Sequence, residues 1–459
     1  MIAKAYLIPL LVLVAALPAF SQVEPSATGG GATTEDDTQM MTPPPVSGMP
    51  YMSGAADTRS NYLDMSISGN AGYDDNVLLG AEVVQPSGQG NSATGDETYW
   101  IDPSITLRKS RGQQLVTLGY TPSFTFYQHT SELDAANQAA SVTFHGLLSP
   151  HVSLSVDDFF VRTNDVFSES YPFSSGNLTG TTQGPVPALI VPYAEQMSDT
   201  ANGSVDYQFS SNSMLGGGAS YSTFSFINPS AAAGLSNSDG EGGSAFFSRR
   251  FSGKQYGGVS YNYARDVATD APEPPFTTQL HTILPFYSVY FTPKFSLSIS
   301  SGIQHVDISQ LTVAQGYSQW SAVGTASLGW QGNRGSFDLS YLHSIESGEG
   351  LAEAITSDAA SASGSWKMTR TWTSTFEASY VNSSPVTTRV AFVTYGYEGG
   401  NTLTLGATLT HTITEHILVG GGYDRLQENY PGIPLVAAEP NSDRVFATFS
   451  YVLSKPIGR

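Results

Sequence analysis

Eight tight turns, each flanked by amphipathic stretches of a dozen or so residues, constrain this chain more than any other feature. They fall at Lys109–Gly112, Ser149–Pro150, Ser211–Asn212, Ser252–Gly253, Thr292–Pro293, Gly332–Asn333, Thr369–Arg370 and Ile413–Thr414. Measured between Ser110, Ser149, Ser211, Ser252, Thr292, Gly332, Arg370 and Ile413, the steps are 39, 62, 41, 40, 40, 38 and 43 residues. A longer polar loop lies between successive turns. Short connections alternating with long ones are the rhythm of a membrane-spanning β-barrel, whose turns are tight on one side of the bilayer and whose loops are long on the other. Two strands per turn and one more at each end predict an all-β, transmembrane, antiparallel up-and-down barrel of about 18 strands. An even number leaves both termini on the tight-turn side. Sixteen strands stays open, because stretches such as His281–Phe291 alternate poorly.

Elsewhere the alternation is plain. Leu63, Met65, Ile67, Gly69, Ala71 and Tyr73 share one face, opposite Asp64, Ser66, Ser68, Asn70 and Gly72. Tyr99, Ile101, Pro103, Ile105 and Leu107 oppose Trp100, Asp102, Ser104, Thr106 and Arg108. The same period of two recurs at Phe295–Ser300, Thr402–Thr410 and Val445–Leu453. It puts one apolar and one small, hydroxylated set on opposite sides of a sheet. A strand of about 12 residues, tilted ~45°, covers ~28 Å, close to a hydrocarbon core of ~30 Å. A soluble β-propeller also repeats at ~40 residues, but its blades use four short strands where these units show two long ones.

The N-terminus carries Lys4, an apolar run from Ala5 to Ala16, and the small–x–small sequence Ala19-Phe20-Ser21. This pattern predicts a signal peptide over 1–21 that is cleaved on export. Residues 22–58, rich in Gly, Thr, Pro and Ser, lack any period that would bury a face and are expected to be a disordered periplasmic leader. The alternative to a free leader is a segment that plugs the pore or docks a periplasmic partner. The barrel is expected over 59–454, with a short tail at 455–459. Only 13% of residues are charged, against about a quarter in soluble domains, as lipid-facing strands require. With no cysteine there are no disulfides or thiolate metal sites, and a net charge of −20 argues against nucleic-acid binding. Expected partners are outer-membrane lipid, the barrel-assembly machinery, and small solutes or a polysaccharide.

The polar faces place Asp64, Asp102, Asp157, Asp206, Asp338, Glu377 and Asp424 toward the lumen, with Arg108 the clearest base among them. Carboxylates along a tunnel attract cations and repel anions, so a mildly cation-preferring pore is expected; the plainer reading is that they keep the wall wet. The longest outer loop, 163–198, is rich in proline, and either folds into the lumen or faces the medium. Aromatic residues near strand ends, among them Tyr120, Phe124, Phe126, Tyr261, Tyr423, Phe449 and Tyr451, suit interfacial girdles. Trp100 and Tyr287 are candidates for an aromatic slide inside the lumen. No nucleophile elbow, His-Glu-x-x-His or phosphate-binding loop is present, so no catalytic residue, metal ligand or cofactor is assigned.

Gly72-Tyr73-Asp74-Asp75-Asn76-Val77, at the end of the first strand, resembles the opening strand of bacterial β-barrel porin families of the YDDN type. Some members of those families are encoded beside exopolysaccharide export systems. The resemblance implies an outer-membrane barrel from about Asn61 to Leu453, localised to a Gram-negative outer membrane. Asp74, Asp75 and Asn76 stand where the first strand gives way to its outer loop, which makes them candidates for a cation site or, more simply, solvated turn residues. The expected function is passage of small hydrophilic solutes, passive or cargo-specific. The alternatives are the exit barrel of an exopolysaccharide system, or a plugged structural or adhesive barrel.

Overall fold

The computed structural model describes residues 61–77, 95–164, 195–227, 236–269, 275–310, 316–347, 354–386, 399–429 and 441–457. The signal segment, the leader and nearly all of the 163–198 loop lie outside the described residues.

Eighteen strands form one sheet. They begin with β1 (Asn61–Asp74), β2 (Asp96–Arg111), β3 (Gln114–Tyr127), β4 (Ala135–Ser149), β5 (Val152–Thr163) and β6 (Gln196–Ser210). Next come β7 (Ser213–Phe226), β8 (Asn237–Ser252), β9 (Gln255–Thr269), β10 (Phe276–Thr292), β11 (Phe295–Gln310) and β12 (Tyr317–Gln331). The last are β13 (Gly335–Ser347), β14 (Ala354–Lys367), β15 (Trp372–Pro385), β16 (Gly400–Thr412), β17 (Ile417–Asn429) and β18 (Asn441–Pro456). Each pairs antiparallel with its sequence neighbours, and β1 pairs with both β2 and β18, which closes the barrel. Closure joins the first strand to the last, so the sheet has no terminal strand edge, as a chain crossing hydrocarbon needs. The eight tight turns fall where the sequence places them. Gly112 takes φ 60°, a left-handed conformation that lets β2 reverse into β3 within two residues.

The polarity of the two faces is inverted relative to a soluble barrel. Ile67, Ile101, Tyr120, Phe124, Ile299 and Phe449 point outward and remain between 41% and 52% exposed. Tyr261, Tyr423 and Tyr451 share that surface. The inner wall is laced by hydroxyl pairs between neighbouring strands: Ser66 with Ser104 at 2.6 Å, Ser68 with Ser450 at 2.9 Å and Ser340 with Ser361 at 2.6 Å. Such pairs satisfy polar groups while adding cross-strand cohesion.

One joint departs from this regularity. β12 pairs with β13 only between Gly324–Gln331 and Ser336–His343, while β12 stays paired with β11 along its whole length. Beyond His343, β13 leaves β12 and lies against the inner face of β10 and β11. There Ile345 packs with Leu280, Val306, Ile308 and Ala354. The Gln304 side-chain amide accepts from Ile345 N–H at 2.9 Å and donates to the Ile345 carbonyl at 2.9 Å, as a neighbouring strand would. Leu280 of β10 is covered in this way; Leu284 and Phe286 follow it on the same inner face, and that is why His281–Phe291 alternates poorly.

Candidate functional site

Strand register fixes which side chains reach the lumen. All seven acids singled out from the sequence fall on inward positions, but they do not form one cluster. Asp64 lies opposite Thr106 and accepts from the Ser454 hydroxyl. Asp102 accepts from Asn70 Nδ2 at 2.9 Å and from Ser123 Oγ at 2.5 Å. A few strands further round the wall, Asp157 faces Thr143 and Asn202, and Asp206 accepts from Ser153 Oγ at 3.5 Å.

The other three stand in a single row of directly opposed residues. Read from β13 to β2, it runs Asp338, Ser363, Glu377, Gly406, Asp424, Arg444, Asp74 and Asp96. Strands ~4.8 Å apart and tilted ~40° make such a row climb about 3 Å at each step, hence roughly 20 Å across the seven joints. It starts beside the Gly332–Asn333 turn and ends at the outer ends of β1 and β2. Gly406 keeps the row open: a Cβ there would sit 3.0 Å from Glu377 Oε1 and 3.4 Å from Asp424 Oδ1.

Arg444, which sequence reading passed over, is the base of this row. Its guanidinium donates to Asp424 Oδ2 at 2.8 and 3.2 Å. The same group lies 5.0 Å from the Trp100 ring centroid and 5.9 Å from that of Phe446, and the two rings meet edge-on at 5.5 Å. Trp100 thus faces inward as expected. Tyr287 does not: it points outward and is 43% exposed, which removes it from any lumenal slide.

Asp74, Asp75 and Asn76 bind the first strand to the last. Asp74 accepts from Asn76 N–H at 2.8 Å and from Ser442 Oγ at 2.5 Å. Asp75 Oδ1 accepts from Asp443 N–H at 2.8 Å, and Asn76 Nδ2 donates to the Asn441 carbonyl at 2.6 Å. These bonds make the triplet a clasp at the barrel's closure. Asp96 plays a comparable part on the far side of β1, gathering His129 N–H, Thr130 N–H and Thr130 Oγ1 at 3.0, 2.8 and 2.6 Å around the turn after β3.

Glu346 and Glu428, near the ends of β13 and β17, also take inward positions and are 2% and 1% exposed; sequence reading did not single them out as lumenal. Asp266, on the inner face of β9 opposite Thr278, also escaped notice. The signal for all three was the inward parity of their strands, which runs several residues beyond the clear alternation. Among the described residues no group of three or more His, Asp or Glu is placed to hold a metal ion.

No family model matches this chain, and no curated protein matches it in sequence. Solved structures resemble it in fold. OccK2 (OpdF) of Pseudomonas aeruginosa is 10% identical, with 86% of this chain and 98% of that one covered and a TM-score of 0.42. The ferric citrate transporter FecA in its unliganded form is 9% identical, with coverages of 85% and 64% and a TM-score of 0.43. A bacterial polysaccharide outer membrane secretin is 10% identical, with coverages of 86% and 99% and a TM-score of 0.33.

Proposed function

We propose that this chain is an outer-membrane pore for small hydrophilic solutes, with a lumen that favours cations. The observation that carries the reading is the division of faces: a closed 18-strand wall, apolar outside, with Asp64, Asp102, Asp157, Asp206, Asp338, Glu377 and Asp424 inside. A barrel of this strand number encloses an aqueous channel unless something fills it. Carboxylates on its wall concentrate cations in a space where bulk water screens them poorly. Export by the signal peptide, folding by the barrel-assembly machinery and docking of a periplasmic partner through the leader belong to the same proposal.

The test is conductance of the refolded protein in a planar bilayer under a salt gradient. A cation-biased reversal potential is expected, weakened when Asp102→Asn and Asp206→Asn are combined. An anion-biased potential, or one that the double variant leaves unchanged, overturns the cation preference. Silence from folded, inserted protein favours the plugged barrel. A second reading, passage of a polysaccharide, is favoured by Trp100 on the inner wall two residues from Asp102. Loss of oligosaccharide block of the current on Trp100→Ala would support it.

A further inference from the structure

We infer that the β12–β13 joint is a hinged seam, and that the end of β13 can leave the inner wall and zip onto β12 to widen the outer mouth. The width of that mouth rests on the pore reading; the hinge does not.

The argument starts from what the seam leaves undone. Residues Tyr317–Val323 of β12 pair with β11 on one side and not with β13 on the other. The matching stretch of β13, Ser344–Ser347, stays paired with Ala354–Ser357 of β14. These two short segments therefore move as one leaf. In the observed arrangement Ile345 and Ala354 are each 1% exposed against Leu280, Val306 and Ile308, and the Gln304 amide supplies the donor and acceptor that β12 would have given Ile345. A primary amide mimics a peptide group, so the backbone of Ile345 is satisfied either way.

The sequence also accommodates a second arrangement, in which Leu280, Val306 and Ile308 lose the cover of Ile345. Extending the existing register places Val323 opposite Ser344, Ala322 opposite Ile345, Ser321 opposite Glu346 and Trp320 opposite Ser347. Ile345 and Ala322 then share the outward face, and Glu346 and Ser321 the inward one, which is the division the rest of the wall obeys. Two packings of one segment, one covering Leu280 and satisfying Ile345 through Gln304, the other pairing the open edge of β12, are what a bistable element requires. The hinge is at His343 and Gly324, where the ladder ends.

The chain has no cysteine, so a disulfide can trap the second state cleanly. Ala322→Cys with Ile345→Cys would be oxidised in protein reconstituted into phospholipid vesicles. Ser327→Cys with Ser340→Cys, opposed in the observed register, serves as the control for folding and oxidation. The seam predicts that the 322–345 disulfide forms, and forms about tenfold faster when Gln304→Leu removes two hydrogen bonds that hold the leaf in. It also predicts a stepwise rise in unit conductance on oxidation, reversed by reductant. A 322–345 pair that stays reduced while 327–340 oxidises, with or without Gln304→Leu, overturns the seam. Crosslinking that leaves a conducting pore's current unchanged overturns its role in the mouth. Crosslinking accelerated by Gln304→Leu in a barrel that never conducts supports the seam and removes the pore reading instead.

Discussion

Replacing Arg444 with methionine should make the pore more cation-selective, by an amount the geometry allows one to estimate. The guanidinium stands on the inner wall, its side chain 15% exposed, and is held to Asp424 at 2.8 Å. A permeant ion passing ~6 Å away through water would feel about 0.7 kcal/mol from that charge, reduced to ~0.4 kcal/mol by screening at 0.1 M salt. Deleting it eases the cation by that amount and hinders the anion by the same amount. The two effects add to ~0.8 kcal/mol, which is about a fourfold rise in the cation-to-anion permeability ratio.

The assay is the reversal potential across a bilayer with a salt gradient, measured for wild type, Arg444→Met and Arg444→Lys. Lysine keeps the charge and loses the forked hydrogen bonds, so its reversal potential should stay near that of the wild type. The shift for methionine should fade at 1 M salt, where the screening length falls to ~3 Å. Methionine also leaves Asp424 without its guanidinium, at a stability cost of roughly 1–3 kcal/mol that barrel folding should tolerate. A folded, conducting Arg444→Met pore with the wild-type reversal potential at 0.1 M would refute the placement of Arg444 beside the ion path.

Face assignment can be tested at two adjacent positions: Ile67→Arg should destabilise the inserted barrel by about 2–4 kcal/mol in denaturant titration, while Ser68→Arg, facing the lumen, should cost much less. Equal effects would mean that the register of β1 is wrong. Gly302→Ala places a Cβ 1.8 Å from the Ile283 carbonyl oxygen, so it should lower stability by roughly 1–3 kcal/mol in the same assay. Asp75→Ala combined with Asn76→Ala removes hydrogen bonds that reach β18, and should raise amide exchange at the outer ends of β1 and β18 while sparing β7 and β8.

The strand count, the tight turns and the inward set of acids were legible because each depends on a short stretch of chain. A turn needs two or three residues, and a face needs only period two. Arg444 was missed for a different reason. It lies at the third residue before Ala447, in a strand whose apolar alternation begins at Val445, so the alternation gave its start no emphasis. Its importance comes from Asp424 on one neighbour and Trp100 two strands away, and neither relation exists along the sequence. Asp74, Asp75 and Asn76 show the same limit. They read as turn residues, yet their partners lie more than 360 positions later, at Asn441, Ser442 and Asp443.

The inward-lying end of β13 was in one sense visible, as a failure of the pattern. A barrel strand with water on one side and lipid on the other must alternate, and β10 does not: Leu280, Leu284 and Phe286 stand on the side that should be polar. Apolar side chains are stable there only if something apolar covers them, and no lipid reaches the lumen. A strand apolar on both faces therefore demands an internal partner. For Leu280 that partner is Ile345 with Ala354, which can reach it only because β13 abandons β12 after His343. The sixteen-strand alternative arose from treating β10 as a doubtful strand. The physical cause of the doubt was Leu284 and Phe286 on the inner face of a well-formed strand, next to Leu280 and its second layer.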